Sequence, residues 1–436
     1  MNPGAGSTAL RGAEYPEDST VVAKLRDAGV VLLGLAGLSQ WANFRSTNSS
    51  NGWSAIGGQV MGAYVDMQDP SGSSSGSGVA SDLGLAWATL GTETSGSIIS
   101  PSQFNNIVGI KPTVGLTSRH LVVPISQHQD TVGPMARTVR DAAKLLSAIA
   151  GKDPKDNYTS AIPFDTIPDY AAACTTDSNS ISLLQGKRLG IPRNFINRYN
   201  QGLGAPPLAS FDAAISTLSG AGAVIIDNAN FPSFDDFDYQ GDALSVVFAD
   251  FLNDIASFFA QLKTNPNNLT SLSDLRAFTQ TSAVVEEEEF PDRNTGIWDA
   301  ALAAGFTNTD PSFFPLHSSL ISFAGEGYIR GALKTHNLDA LILPSDISPF
   351  IPAILGSPVI TVPMGAWPEG TPVIFEPRGE LVVRAPGMPV GLSFLGDLWS
   401  EEGLVGIACG FEGVSGERGK KLGRVVQPGM ELVDVL

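Results

Sequence analysis

Apolar residues in this chain fall into short blocks separated by glycine, proline and serine, and the blocks follow two different periods. Residues 138–150 repeat apolar positions at Val139, Ala142, Leu145, Leu146 and Ile149, the spacing of a helix with one buried face. Asp18-Ser19-Thr20 offers a capping group before residues 21–28, and Gly29 stops that helix. Residues 211–218 and 400–411 also read as helices. Short apolar runs at 30–33, 187–192, 223–226, 338–343, 359–362 and 390–395 suit strands buried on both faces. Residues 79–90, mostly small and apolar, predict a buried helix followed by a strand. This alternation predicts an α/β fold with a mixed, mostly parallel central sheet flanked by helices on both faces. Residues 230–335 are helix-rich and more polar, and their acidic run Glu286 to Glu289 is expected on the solvated surface.

Composition narrows the class. The chain has 436 residues, of which 43% are hydrophobic and 16% charged, which suits a large buried core rather than disorder. Its formal net charge of −18, from 44 acidic against 26 basic side chains, argues against nucleic acid or an anionic membrane as partner. The basic cluster Arg418 to Arg424 reads as a solvated tail. No uninterrupted apolar stretch reaches bilayer length. Cys174 and Cys409 lack metal-ligand spacing and are expected to be ordinary thiols, with one long-range disulfide as the alternative. No metal site is expected. Sequons at Asn48, Asn157 and Asn268 leave secretion open beside a cytoplasmic location.

The candidate chemistry lies between Asp69 and Pro101, where two Gly/Ser loops flank residues 79–90. Loop one holds Ser73, loop two holds Ser97, and 24 positions separate them. Brought together, two hydroxyls among glycines suit amide hydrolysis, one as nucleophile and one as proton relay, with backbone N–H groups for the oxyanion. Two blander readings compete. Loop one alone, with five serines from Ser71 to Ser77, also fits a flexible linker. Gly72-Ser73-Ser74-Ser75-Gly76 matches a nucleophile elbow centred on Ser74, but a turn rather than an apolar strand precedes it.

The same stretch, with NNIVGIKPTVGLTS and DTVGPMARTVRDAAKLL behind it, resembles the amidase signature family. The resemblance continues through WANFRS (41–46), LDALILPS (338–345), PVITVPMG (358–365) and PVGLSFLG (389–396). It implies one domain over residues 1–436, with 230–335 as a cap that shapes substrate access. It implies a Ser–Ser–Lys triad, with Ser97 as nucleophile and Ser73 as a relay that follows a cis peptide bond. Backbone N–H groups of Thr94, Ser95, Gly96 and Ser97 would form the oxyanion hole. The implied reaction cleaves the C–N bond of a non-peptide carboxamide through an acyl-serine, with no metal or organic cofactor. The implied partner is a small-molecule amide, and a homodimer is compatible. Glu93 stands where the family usually has aspartate, Ser95 where glycine is frequent, and Leu35 where GKxN has lysine. Lys111, in GxKPTxG, is expected to serve structure, and Asp130 and Arg137 to form a buried bracing pair.

In the family the lysine base belongs to a GxPxxxKD strand upstream of the cis-serine. Only 72 residues precede Ser73 here, and that motif does not occur in them. The chain therefore reads as a family member lacking its usual N-terminal part. Two alternatives follow: an inactive homologue, or an amidotransferase component of the A type that depends on partner chains.

Overall fold

One eight-stranded sheet takes in the expected apolar runs other than 30–33, together with residues 108–111 and 131–136, which the apolar pattern does not mark. The computed structural model describes residues 4–174, 180–199, 206–234, 239–281, 283–420 and 422–432. The strands are β1 (Ala88–Glu93), β2 (Val108–Lys111), β3 (Thr131–Ala136), β4 (Arg188–Ile191), β5 (Val224–Asp227), β6 (Ala340–Pro344), β7 (Val359–Ala366) and β8 (Pro389–Leu395), in the order β1-β3-β2-β7-β8-β6-β4-β5. The sheet is mixed, as expected for the α/β class. Parallel pairing gathers at one end, in β6–β4 and β4–β5, and the other neighbours are antiparallel. The reason is local: β7 returns to β8 through a two-stranded ribbon, Ile374–Phe375 with Val382–Arg384, not through a helical crossover.

Helices α1 (Thr20–Asp27), α4 (Val139–Ile149) and α7 (Glu401–Ser415) form where the sequence places them, and α5 (Tyr239–Gln261) and α6 (Gly296–Ala304) lie in the helix-rich segment. Helix α2 (Ser75–Asp82) starts inside loop one, ahead of the expected run, and α3 (Ile99–Phe104) is not among the expected helices. Thr138 caps α4 by accepting the Asp141 N–H at 3.1 Å, and its apolar stripe joins α7 and the central strands in the main core. Fully burying one such Leu or Ile stabilises the fold by roughly 1.5–3 kcal/mol. Helix α5 is long and apolar enough to cross a membrane by length and composition, yet half of that window is buried in the protein. Its Phe251, Ile255 and Phe258 build a second core with Trp41 and Trp298 of α6.

Four expectations are corrected. Residues 30–33 form no strand: Val31 is 79% and Leu33 69% exposed, because an apolar run becomes a strand only when a neighbour takes its backbone hydrogen bonds. Glu288, inside the acidic run, is fully buried. It accepts from Ser7 Oγ (3.0 Å), Thr8 N–H (2.9 Å), Gln40 Nε2 (2.7 Å) and Arg45 Nη1 (2.8 Å). Arg418 is no tail residue either: buried, it donates to Asp82 Oδ1 at 2.8 Å, and Arg424 reaches the same oxygen at 3.0 Å. Lys421 of that cluster lies outside the described residues. Cys174 and Cys409 are joined in a disulfide, with Cα atoms 5.6 Å apart and 235 positions between them in sequence.

Two measurements follow. Glu288→Ala should lower the unfolding free energy by about 3–5 kcal/mol in urea titrations, because Arg45 would stay buried without its carboxylate. Reducing Cys174–Cys409 should lower the thermal midpoint, since the bridge closes a very long loop and such links contribute about 2–4 kcal/mol.

Candidate active site

Loop one is a hydrogen-bonded turn, not a linker. Asp69 begins it, its Oδ1 accepting from Ser71 N–H at 2.6 Å and its Oδ2 from Asn51 at 3.1 Å. Burial pushes the Asp69 carboxyl up to about 6. Ser75 Oγ donates to Ser71 O at 2.6 Å, and Ser39 N–H donates to Ser73 O at 3.0 Å. The peptide joining Gly72 to Ser73 is cis. A Cβ on Gly72 would lie within 2.7 Å of Ser39, Asn43 and Asn51 side-chain atoms, so a larger residue would have to displace them. Helix α2 starts directly behind and carries the chain to β1.

Loop two, between β1 and α3, folds around the Glu93 carboxylate. Its Oε2 accepts from the N–H groups of Ile98 at 2.7 Å and Ile99 at 2.9 Å. Lys111 on strand β2 faces Glu93 and Glu401, all three fully buried. Burial lowers the ammonium to about 8, and burial raises both carboxyls. Lys111 Nζ donates to Ser357 O (2.8 Å) and Pro112 O (3.2 Å), contacts that hold strand ends together. The positive φ of +85° at Gly96 lets the chain turn between these anchors. The loops also meet directly, Ser74 N–H donating to Ser97 O at 3.2 Å.

Ser73 and Ser97 line one cavity of about 250 Å³. No direct hydrogen bond joins their hydroxyls among the described residues. Ser74 points elsewhere: its hydroxyl donates to Thr92 O at 3.1 Å and accepts Thr92 N–H at 3.2 Å. The backbone N–H groups of Thr94, Ser95 and Ser97 donate to no protein acceptor among the described residues, whereas Gly96 N–H faces the Glu93 carboxylate. The lysine on the cavity wall is Lys155, whose Nζ is held by both Glu17 oxygens at 2.6 Å.

The Asp130–Arg137 pair expected from sequence does not form. The two residues sit at opposite ends of β3, roughly 20 Å apart along an extended strand. Asp130 instead accepts from Thr94 Oγ1 (2.6 Å) and from the N–H groups of Ile125 (2.7 Å) and Ser126 (3.0 Å). Arg137 donates to Leu432 O. Sequence reasoning also passed over other cavity residues: Arg119, Asp156 and Asp254. Arg119 grips Asp156 through Nε and Nη2, both at 2.8 Å. Asp254 could have been suspected from its place four residues after Asp250 in an apolar helix, a like-charge spacing that costs stability. His128 bonds Asp250 Oδ2 at 2.8 Å.

The amidase family profile matches residues 1–302. An Arthroderma benhamiae protein named "Putative amidase" is 56% identical over all of this chain and 72% of its own length. The crystal structure of peptide amidase from Stenotrophomonas maltophilia superposes with a TM-score of 0.82 and 36% identity, covering 96% of this chain and 80% of that one. The A-type component of the glutamyl-tRNA(Gln) amidotransferase of Cereibacter sphaeroides is 32% identical over 94% of this chain and 80% of its own length.

The Glu93 anchor is testable by itself. Glu93→Ala leaves two fully buried N–H groups, at Ile98 and Ile99, without acceptors. Unfolding measurements should show a loss of about 2–6 kcal/mol, at 1–3 kcal/mol for each orphaned group.

Proposed function

Because the chain belongs to the amidase family and is a hydrolase of C–N bonds, we propose that its two serine loops form the reacting centre for a small non-peptide carboxamide. In this reading Ser97 attacks the carbonyl carbon and Ser73 relays the proton toward the leaving nitrogen. The N–H groups of Thr94, Ser95 and Ser97 receive the oxyanion, with Gly96 the weakest of the four because its N–H faces Glu93. One well-placed donor of this kind contributes about 3–4 kcal/mol to the barrier reduction. The observation that carries the reading is the convergence of Ser73 and Ser97 on one cavity, with free N–H groups beside Ser97.

A serine hydroxyl needs a proton acceptor to act at neutral pH. Lys155 is tied to Glu17 and Lys111 to backbone carbonyls, so neither lysine supports the family's base role. Without such an acceptor, turnover is expected to be slower by a factor of about 10²–10⁴. The elbow reading is weakened by Ser74, whose hydroxyl is occupied by Thr92.

A fluorophosphonate probe should attach to Ser97, as read by peptide mapping, and Ser97→Ala should abolish the label. Ser73→Ala should slow labelling strongly without preventing it. A label found on Ser74 would transfer the nucleophile role there and overturn this assignment.

A further inference from the structure

The cavity is bordered by several charged side chains, and these are unequally satisfied. Lys155 and His120 both reach Glu17, at 2.6 and 3.1 Å. Arg119 is held by Asp156 and lies 4.5 Å over the Tyr158 ring. Asp130 has three hydrogen-bond donors. Asp254 has one: the Gln127 N–H donates to its Oδ2 at 2.7 Å, and among the described residues it makes no ion pair. Its second oxygen is not enclosed by protein donors, and the residue lines the same cavity as Ser73 and Ser97. A carboxyl with an open acceptor face in a substrate cavity complements a donor-rich, positively charged group.

We propose that Asp254 is a specificity-determining residue that pairs with an ammonium group on the carboxamide substrate, remote from the bond that is cleaved. The proposal rests on the amidase reading of the cavity. The surroundings tune the pair. Asp250 on the same helix and Asp130 from the loop before β3 repel a negative charge on Asp254, whereas Arg119 favours it, and Tyr158 stands nearby. Burial, then Asp250, push the carboxyl up to about 8. Without substrate, near neutral pH, it is mostly protonated. An arriving ammonium lowers that value, so binding releases a proton. A neutral amide produces no such release. The buried Asp250 does not compete for the ligand, because Ser126 (2.6 Å), His128 (2.8 Å) and Asn308 (3.0 Å) already engage it.

Hexanamide and 6-aminohexanamide differ only by the terminal amine, which stays protonated to about pH 10. Titration calorimetry of the full chain should show the amine compound binding about tenfold more tightly near pH 9, and about equally near pH 6, where the carboxyl is neutral. At neutral pH, heats in buffers of different ionisation enthalpy should reveal release of part of a proton with 6-aminohexanamide only. Asp254→Asn keeps an acceptor for Gln127 N–H, and it should erase both the preference and the proton release while its melting curve stays cooperative. The proton release in the unmodified chain needs no variant. Equal binding of both amides at every pH, or a preference that survives in Asp254→Asn, would overturn the role of Asp254 and leave the amidase reading standing. Binding of neither amide would overturn the cavity assignment and this proposal together.

Discussion

The buried carboxylate of Glu93 is the constraint on which the arrangement of loop two depends. A chain leaving β1 and entering the short helix α3 exposes N–H groups that no strand or helix partner satisfies. Glu93 takes two of them, at Ile98 and Ile99, and so bends the chain back over its own last strand residue. Ser97 is thereby placed in the turn, facing out to the cavity, while its carbonyl is held by Ser74 of loop one. Lys111 faces the carboxylate from strand β2. Burying one charge without an opposite one would cost several kcal/mol. The lysine that lies nearest the serine motifs in sequence is thus already used in balancing the charge of the Glu93 anchor.

Much of the sheet was legible because its strands are apolar enough to declare themselves. Residues 338–343, 359–362 and 390–395 all lie in central strands that begin within a residue or two of the expected starts. Strand direction was not legible, because it depends on what connects the strands. An antiparallel return through a ribbon and a helical crossover both leave the apolar runs themselves unchanged. Residues 30–33 show the complementary limit. Their hydrophobicity marks a strand, but a strand is a pairing and not a property of one segment.

The misread charges have a common cause. Glu288 and Arg418 each occur in stretches that look solvated when counted along the sequence, yet each is buried against a partner more than 200 positions away. Patterning reports the average fate of a charged residue, and long-range pairing is where that average fails. The disulfide belongs to the same class, since nothing near Cys174 announces Cys409. The serine loops were easier, because they are close in sequence and built from residues whose small size and hydroxyls suit few other purposes. Asp130 was found, but with the wrong partner: extended β3 separates it from Arg137, and local N–H groups supply its hydrogen bonds.

The cavity therefore draws on two kinds of determinant, which differ in how freely sequence can vary them. Its serine floor comes from loops held by main-chain contacts: three side chains crowd position 72, and Ser73, Ser74 and Ser97 all donate or accept through the main chain. The wall from α5 comes from single side chains, Asp254 and Phe258 among them, on a helix that Phe251, Ile255 and Phe258 anchor in the second core. Replacing Asp254, which is not part of that apolar cluster, changes what the cavity wall offers a charged ligand. On the proposed reading, chemistry held by the backbone and selectivity carried by side chains can change independently, which is the physical condition for one loop architecture to serve amides of different charge.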